Sequence, residues 1–175
     1  LVRLAGFFGR LVRHDFVPGI AEDDRVHEIR KEPWHSHNFG GTWHSDGAYL
    51  RRPPKVLVLQ AVVVPKMGGD TLWACQIAAF RALPDALVKS LVGSRVRHTA
   101  EVAFGGYPNA DSVTIPRSVV HPLFRWLPEK RQVALFHSGP CMDVILGLSE
   151  EDSASRRAEP LRFASDTLVF RHRWR

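Results

Sequence analysis

The feature that most constrains the fold is an apolar run at residues 56–64, in which valine predominates. Pro54 and Pro65 bound it on either side. Valine favours extended backbone, and the run is far shorter than the roughly 20 residues that a helix needs to cross a bilayer. We therefore predict that residues 56–64 form a buried strand, and that the chain is a mixed, mostly β protein.

The rest of the chain supports one domain over residues 1–175. Apolar spacing and punctuation by Gly and Pro predict helices at residues 1–12, 71–82 and 84–92, and a further helix that begins with Ser149 as its N-cap. Strands are predicted at residues 26–29, 96–104, 118–126, 132–137 and 161–175, with a loop at 105–116. The strands on either side of residues 127–130 are expected to form a hairpin.

Charge and cysteine content narrow the function classes. The net charge is +6, but the arginines are scattered and no nucleic-acid-binding signature accompanies them, so we expect an anionic small-molecule ligand and no nucleic acid. Cys75 and Cys141 are expected to be reduced thiols. Without a signal peptide or a membrane-spanning stretch, the chain is expected to be cytoplasmic and to begin inside a longer protein.

The strongest chemical signal is the triplet His44-Ser45-Asp46. Side chains two residues apart on extended backbone project from the same face, so both His44 and Asp46 can reach one metal ion. They supply two ligands of the two-histidine-one-carboxylate facial triad that binds non-haem Fe(II). An alternative is an exposed histidine beside a loop-capping aspartate. For the third ligand, His35 and His37 could form a metal pair at a spacing of two but are interpreted as polar loop residues, and His98, His137 and His172 have no supporting motif.

Several motifs in fixed order surround this triplet. They are Trp43-His44-Ser45-Asp46, Pro53-Pro54, Gly68-Gly69-Asp70-Thr71-Leu72-Trp73, His121-Pro122-Leu123-Phe124-Arg125, Gln132-Val133-Ala134-Leu135-Phe136 and Arg173-Trp174-Arg175. In this order the sequence resembles the taurine dioxygenase family of Fe(II)- and 2-oxoglutarate-dependent oxygenases. The resemblance implies a mainly β fold with flanking helices, a double-stranded β-helix (jelly roll) of the clavaminate synthase-like type.

The resemblance also implies roles for single residues. His44 and Asp46 would bind Fe(II), and a carboxylate at Asp46 favours hydroxylation over halogenation. Thr71 would donate a hydrogen bond to the distal carboxylate of 2-oxoglutarate, although a helix N-cap is an alternative role for it. Tyr49 corresponds to a family aromatic near the substrate or to a core ring. Asn38, on the polar loop that leads to the triplet, is a further candidate for a position next to the substrate.

The implied activity is hydroxylation of a small organic acid, such as a sulfonate, a sulfate ester or an aryloxyalkanoate, with O2 as oxidant and with release of succinate and CO2. At Gly40, taurine dioxygenase itself has an asparagine that contacts the substrate, so taurine is not the expected substrate. The family's third histidine and its 2-oxoglutarate-binding arginine would lie beyond Arg175. The alternative is therefore a non-catalytic jelly-roll remnant or binding protein without a complete iron site. The sequence leaves open whether the chain forms a homo-oligomer.

Overall fold

The computed structural model describes residues 1–36, 38–101 and 118–175. In these ranges the strands form three antiparallel sheets. The strands are β1 (Thr71–Ala74), β2 (Arg95–Thr99), β3 (Ser118–Pro122), β4 (Phe124–Leu127), β5 (Gln132–Leu135), β6 (Met142–Ile145) and β7 (Val169–His172). The helices are α1 (Val2–Gly6), α2 (Gln76–Ala82), α3 (Asp85–Leu91) and α4 (Glu150–Asp166).

Each sheet is small. Strand β1 pairs with β7, β4 pairs with β5, and β2 lies between β3 and β6. Helix α2 packs against β5 and α4, and α4 packs against β6. The main core lies between these helices and strands, and it is formed by Ala79, Leu83, Leu87, Leu91, Val96, Leu123, Leu135, Met142, Ile145 and Ala164.

A second core cluster includes two residues that closely follow the triplet in sequence, Ala48 and Tyr49. It consists of Phe16, Ala48, Tyr49, Ala100 and Cys141. The rings of Phe16 and Tyr49 meet edge to face with their centroids 5.6 Å apart, an arrangement that aromatic pairs favour. This cluster anchors the chain just after Asp46.

The N-terminal part of the predicted helix at residues 71–82 is wrong. Thr71–Ala74 is strand β1, because it pairs in register with Val169–His172, and α2 begins only at Gln76. The predicted strand at residues 161–175 is also wrong in its first part, where α4 continues to Asp166. Pro160 and Ala164 are buried on one face of α4, so packing keeps the helix intact through its proline.

The predicted strand at residues 56–64 is wrong as well. The segment has no ladder partner within the described part of the chain, and its side chains face solvent, with Val62 and Val63 being 87% and 90% exposed. Hydrophobic content indicated burial, but a strand also needs a neighbouring strand to pair with its backbone.

Of the remaining predicted elements, some are confirmed and others are shortened, divided or absent. The helix at residues 84–92, the N-cap role of Ser149 and the hairpin of β4 and β5 are confirmed. The helix at residues 1–12 is reduced to Val2–Gly6, residues 26–29 form no strand, and Leu123 divides the predicted strand 118–126 between two sheets. The strand 96–104 is observed as Arg95–Thr99, while its last residues and the loop 105–116 lie outside the described ranges.

None of the helices in the described ranges combines the length and the apolar character that a membrane span requires.

Acidic side chains lie at the N-terminus of α4, where the helix dipole favours them. Glu150, Glu151 and Asp152 occupy the first turn of α4, where they face the positive end of the helix dipole. The Ser149 hydroxyl accepts a hydrogen bond from the backbone N–H of Asp152 at 3.1 Å.

A buried histidine on β2 faces the interior. His98 has no solvent exposure, and its Nδ1 lies 3.1 Å from the carbonyl oxygen of Val96. Its Nε2 atom has no hydrogen-bond partner among the described residues. Burial lowers the pKa of His98 to about 4, although the hydrogen bond to the Val96 carbonyl opposes this effect. The folded protein therefore holds this side chain neutral.

This burial predicts an acid-sensitive fold. Between pH 6.5, the ordinary pKa of histidine, and pH 4, the unfolded chain binds a proton at His98 that the folded chain excludes. The free energy of unfolding should thus fall as the pH decreases through this window, by up to ~3 kcal/mol for this residue. Urea unfolding across the pH range measures it. The variant His98→Phe should show a shallower slope, and an unchanged slope would refute the assignment.

Candidate metal centre

The structure brings His44 and Asp46 together as a pair of potential ligands. The His44 Nε2 and Asp46 Oδ1 atoms lie 3.5 Å apart, and both side chains remain accessible, with exposed fractions of 33% and 51%. Two donor atoms that bind one ion at right angles, each at about 2.1 Å, lie about 3 Å apart. The observed spacing is close to that value, so one metal ion fits between the two groups.

The tautomer of His44 suits a metal ligand. Its Nδ1 atom lies 2.6 Å from the carbonyl oxygen of Thr42, which can only accept a hydrogen bond. Nδ1 therefore carries the proton, and the lone pair of Nε2 points toward Asp46. The Asp46 carboxylate raises the pKa of His44, while partial burial of the ring opposes that effect.

Ser45 shows that the triplet alternates, as the sequence predicts. Its hydroxyl points away from the ligand pair and donates a hydrogen bond to the carbonyl oxygen of His137 at 2.9 Å. The triplet nevertheless lies outside every strand of the described ranges. Its extended backbone is therefore local and does not belong to a β-ladder.

Gly40 lies against the imidazole ring of His44. Its φ angle is +66°, in the left-handed region that side chains avoid, and a Cβ atom there would lie 3.3 Å from Cε1 of His44. The loop can approach the ring closely because this residue has no side chain. Gly40 thus limits the positions that the ring can adopt.

A cavity of about 110 Å³ adjoins His44. Its lining comprises Trp43, His44, Ser45, Leu72, Trp73, Ala74, Gln76, His137 and Ala164. Among them, Gln76 and His137 carry no sequence signal that predicted a place in the site. The buried Oε1 atom of Gln76 has no hydrogen-bond partner among the described residues, so the wall offers a free acceptor. Burial, and secondarily the charge of Arg157, lowers the pKa of His137 to about 4.

Thr71 is the first residue of β1, whose next three residues line the cavity. The Thr71 hydroxyl accepts a hydrogen bond from the indole Nε1 of Trp174 at 2.9 Å. The alternative role as a helix N-cap is wrong, since Cys75 is the N-cap of α2. Beside it, the Asp70 carboxylate pairs with Arg171 at 2.5 Å and lies 3.8 Å from Arg173.

The two substrate-adjacent candidates lie in different surroundings. Asn38 is exposed in a turn, where its carbonyl oxygen accepts a hydrogen bond from the Gly41 N–H at 3.3 Å. Tyr49 is only 3% exposed and belongs to the second core cluster, away from the lining of the cavity. Burial raises the pKa of its phenol. In the described ranges no cluster of three or more His, Cys, Asp or Glu residues could hold a metal, so the third ligand is not among them.

Comparison with known proteins identifies related sequences and structures. The family model "Taurine catabolism dioxygenase TauD, TfdA family" matches residues 1–175. An alkylsulfatase of Acinetobacter baylyi is 30% identical over 104 residues, which are 59% of this chain and 32% of that protein. The alpha-ketoglutarate-dependent 2,4-dichlorophenoxyacetate dioxygenase of Cupriavidus pinatubonensis is 34% identical over 138 residues, or 75% of this chain and 47% of that protein.

Solved structures agree with these sequence matches. The crystal structure of a taurine dioxygenase from Burkholderia xenovorans superposes with a TM-score of 0.65 at 26% identity, covering 76% of this chain and 44% of that chain. The chain thus spans less than half the length of each of these three relatives.

Substitution of Gly40 tests the crowding of the His44 ring. We expect Gly40→Ala to weaken Co(II) binding, because the new methyl group displaces the imidazole as well as straining the backbone by about 1 kcal/mol. Gly93→Ala is the matched control. Gly93 also has a positive φ, of +78°, but no atom lies within 4 Å of its Cβ position. Equal Co(II) dissociation constants for the two variants, measured by calorimetry, would contradict the role of Gly40.

Proposed function

The chain belongs to the taurine catabolism dioxygenase TauD, TfdA family, and from that premise we propose that it is part of an Fe(II)- and 2-oxoglutarate-dependent dioxygenase. The proposed reaction is hydroxylation of a small organic acid, with O2 as oxidant and with succinate and CO2 as products. The observation that carries the proposal is the accessible pair of His44 Nε2 and Asp46 Oδ1 at 3.5 Å.

His44 and Asp46 are the residues that would hold the iron. Neutral imidazole and carboxylate together suit Fe(II), which supplies the oxidative chemistry of 2-oxoglutarate and O2 when it is bound. The Thr42 carbonyl keeps the proton of the neutral His44 ring on Nδ1, so Nε2 is the nitrogen whose lone pair can bind the ion. The Asp46 carboxylate offsets part of the positive charge of the ion.

Thr71 is the proposed contact for the distal carboxylate of 2-oxoglutarate. Because the Trp174 N–H already occupies a lone pair of the Thr71 hydroxyl, the O–H proton is free to donate to an anion. A nearby hollow is lined by residues 171–175, three of which are arginines that favour an anionic ligand, and its lining includes Trp174, the hydrogen-bond partner of this hydroxyl. Strand β1 then connects the cosubstrate contact at Thr71 with the cavity wall beside His44.

The names of the relatives support the substrate class. They include an alkylsulfatase and a 2,4-dichlorophenoxyacetate dioxygenase, which point to sulfate esters and aryloxyalkanoates, and sulfonates complete the proposed set. Gly40 places no side chain beside His44, so substrate selection there rests on other groups. We place the enzyme in the cytoplasm, and we take its antiparallel sheets to be parts of a jelly roll.

A second candidate function follows because no described residue provides the third metal ligand. A jelly-roll remnant would bind small anions at the Thr71 side without retaining iron. Iron retention separates this candidate from the enzyme.

Loss of either ligand should abolish the iron site. We expect the wild-type protein to retain Fe(II) through anaerobic dialysis and to form succinate from 2-oxoglutarate, and we expect His44→Ala and Asp46→Ala to do neither. Asp143→Asn is the control, because Asp143 is a β6 carboxylate that pairs with Arg97 at 2.5 Å. A wild-type protein without iron and without succinate formation across sulfonates, sulfate esters and aryloxyalkanoates would favour the remnant.

The hydroxyl of Thr71 can be tested separately. Thr71→Val keeps the shape of the side chain but removes the donor, so the KM for 2-oxoglutarate should rise about tenfold, the usual effect of losing a hydrogen bond to a charged group. Thr71→Ser should restore most of the affinity. The dissociation constant for Co(II) serves as the control and should stay unchanged. A wild-type KM in Thr71→Val would remove Thr71 from the cosubstrate site.

A further inference from the structure

A fully buried serine contacts the backbone of the ligand triplet. The Ser138 hydroxyl accepts a hydrogen bond from the Ser45 N–H at 3.2 Å and donates one to the Ser45 carbonyl oxygen at 3.2 Å. In return the Ser45 hydroxyl donates to the carbonyl oxygen of His137 at 2.9 Å. These three hydrogen bonds join residues 137–138 to Ser45, which lies between the two candidate metal ligands. We call them the serine clamp.

The far side of the serine clamp is held by the central sheet. The carbonyl oxygen of Ser138 accepts hydrogen bonds from the N–H groups of Cys141 and Met142 at 3.0 and 2.9 Å, which closes a turn that leads into β6. The Cys141 carbonyl oxygen accepts from Thr99 N–H at 2.8 Å, and Thr99 is the last residue of β2. Ser138 is therefore fixed relative to the sheet of β3, β2 and β6.

The segments that contain Ser138 and His44 also pack closely against each other. A Cβ atom at Gly139 would lie 3.4 Å from the carbonyl oxygen of Trp43, so the backbone after Ser138 passes directly beside the backbone before His44. The approach is close enough for side-chain hydroxyls as short as those of Ser45 and Ser138 to bridge the two segments.

The serine clamp matters because the triplet has no ladder to hold it. His44 and Asp46 lie outside the strands of the described ranges and point toward solvent, whereas Ser45 points inward. The spacing of the two ligand atoms then depends on the orientation of the peptide groups on either side of the Ser45 Cα. Both of these peptide groups are bound by the same hydroxyl.

We propose that Ser138 is a positioning residue for the metal ligands, whose hydroxyl sets the spacing of His44 and Asp46 by holding the N–H and the C=O of Ser45. The inference rests on the proposed function, since it concerns the same iron site. A hydroxyl suits this position because it can accept from an N–H and donate to a C=O through a single atom. Alanine at this position can do neither.

The experiment compares two buried serines. Ser138→Ala removes the two bonds to Ser45, and Ser153→Ala is the matched control. Ser153 is also fully buried, and its hydroxyl accepts from the backbone N–H of Ile145 at 2.7 Å, a bond that joins α4 to β6. Both substitutions should lower the midpoint of thermal unfolding. Only Ser138→Ala should raise the dissociation constant for Co(II), by about tenfold or more, as is usual for the supporting partners of metal ligands.

The absorption spectrum of bound Co(II) reports ligand geometry independently of activity. We expect a changed visible spectrum for Ser138→Ala and a wild-type spectrum for Ser153→Ala. Equal affinities and spectra for Ser138→Ala and the wild-type protein would overturn the inference. So would a similar weakening in both variants, because the effect would then reflect lost stability.

Ser45→Ala provides a second variant in case Ser138→Ala does not fold. It removes only the bond to His137 and should weaken Co(II) binding less than the loss of both bonds to Ser138. Wild-type affinity in Ser45→Ala together with an unfolded Ser138→Ala would count against the serine clamp. If the wild-type protein itself fails to bind Co(II), the proposed iron site is wrong. If neither Ser138→Ala nor Ser45→Ala weakens Co(II) binding, the proposed iron site is retained and only the positioning role of Ser138 is refuted.

Discussion

The turn at residues 138–142 is the constraint on which the rest of the structure depends. At one end, the Ser138 hydroxyl binds the backbone of Ser45. At the other end, the adjacent residues Cys141 and Met142 belong to the second and the main core cluster, respectively. Displacement of this turn would therefore disturb both cores and the ligand triplet together. The candidate metal centre owes its rigidity to packing that lies behind it.

What the sequence could predict depends on how local each interaction is. The pairing of His44 with Asp46 was predictable, because it needs only alternation of side chains over three residues. The strand at Thr71–Ala74 was not predictable from its own pattern, because it exists only through pairing with Val169–His172 about one hundred residues later. The N-cap at Ser149 was predictable, since its hydrogen bond to Asp152 lies within one helical turn.

At residues 56–64 the local pattern predicted the wrong structure. Its valines fit the interior of a sheet, but composition says nothing about which strand would pair with it. In the described ranges its side chains are exposed, and so are Leu72, Trp73 and Phe170 on the ribbon of β1 and β7. Hydrophobic patterning thus identifies surface that favours burial, and only long-range pairing determines whether burial takes place. The same reason explains why His137 was missed, since it reaches the cavity only through tertiary packing.

The contacts around the triplet bear on the geometry of the proposed iron site. Three neighbours restrict it from different directions: Gly40 lies against the ring of His44, the Thr42 carbonyl fixes its tautomer, and Ser138 holds the backbone of Ser45. Together these contacts accompany a spacing of 3.5 Å between His44 Nε2 and Asp46 Oδ1. Because the triplet lies outside the sheets, these contacts replace the ladder that would otherwise align a pair of ligands.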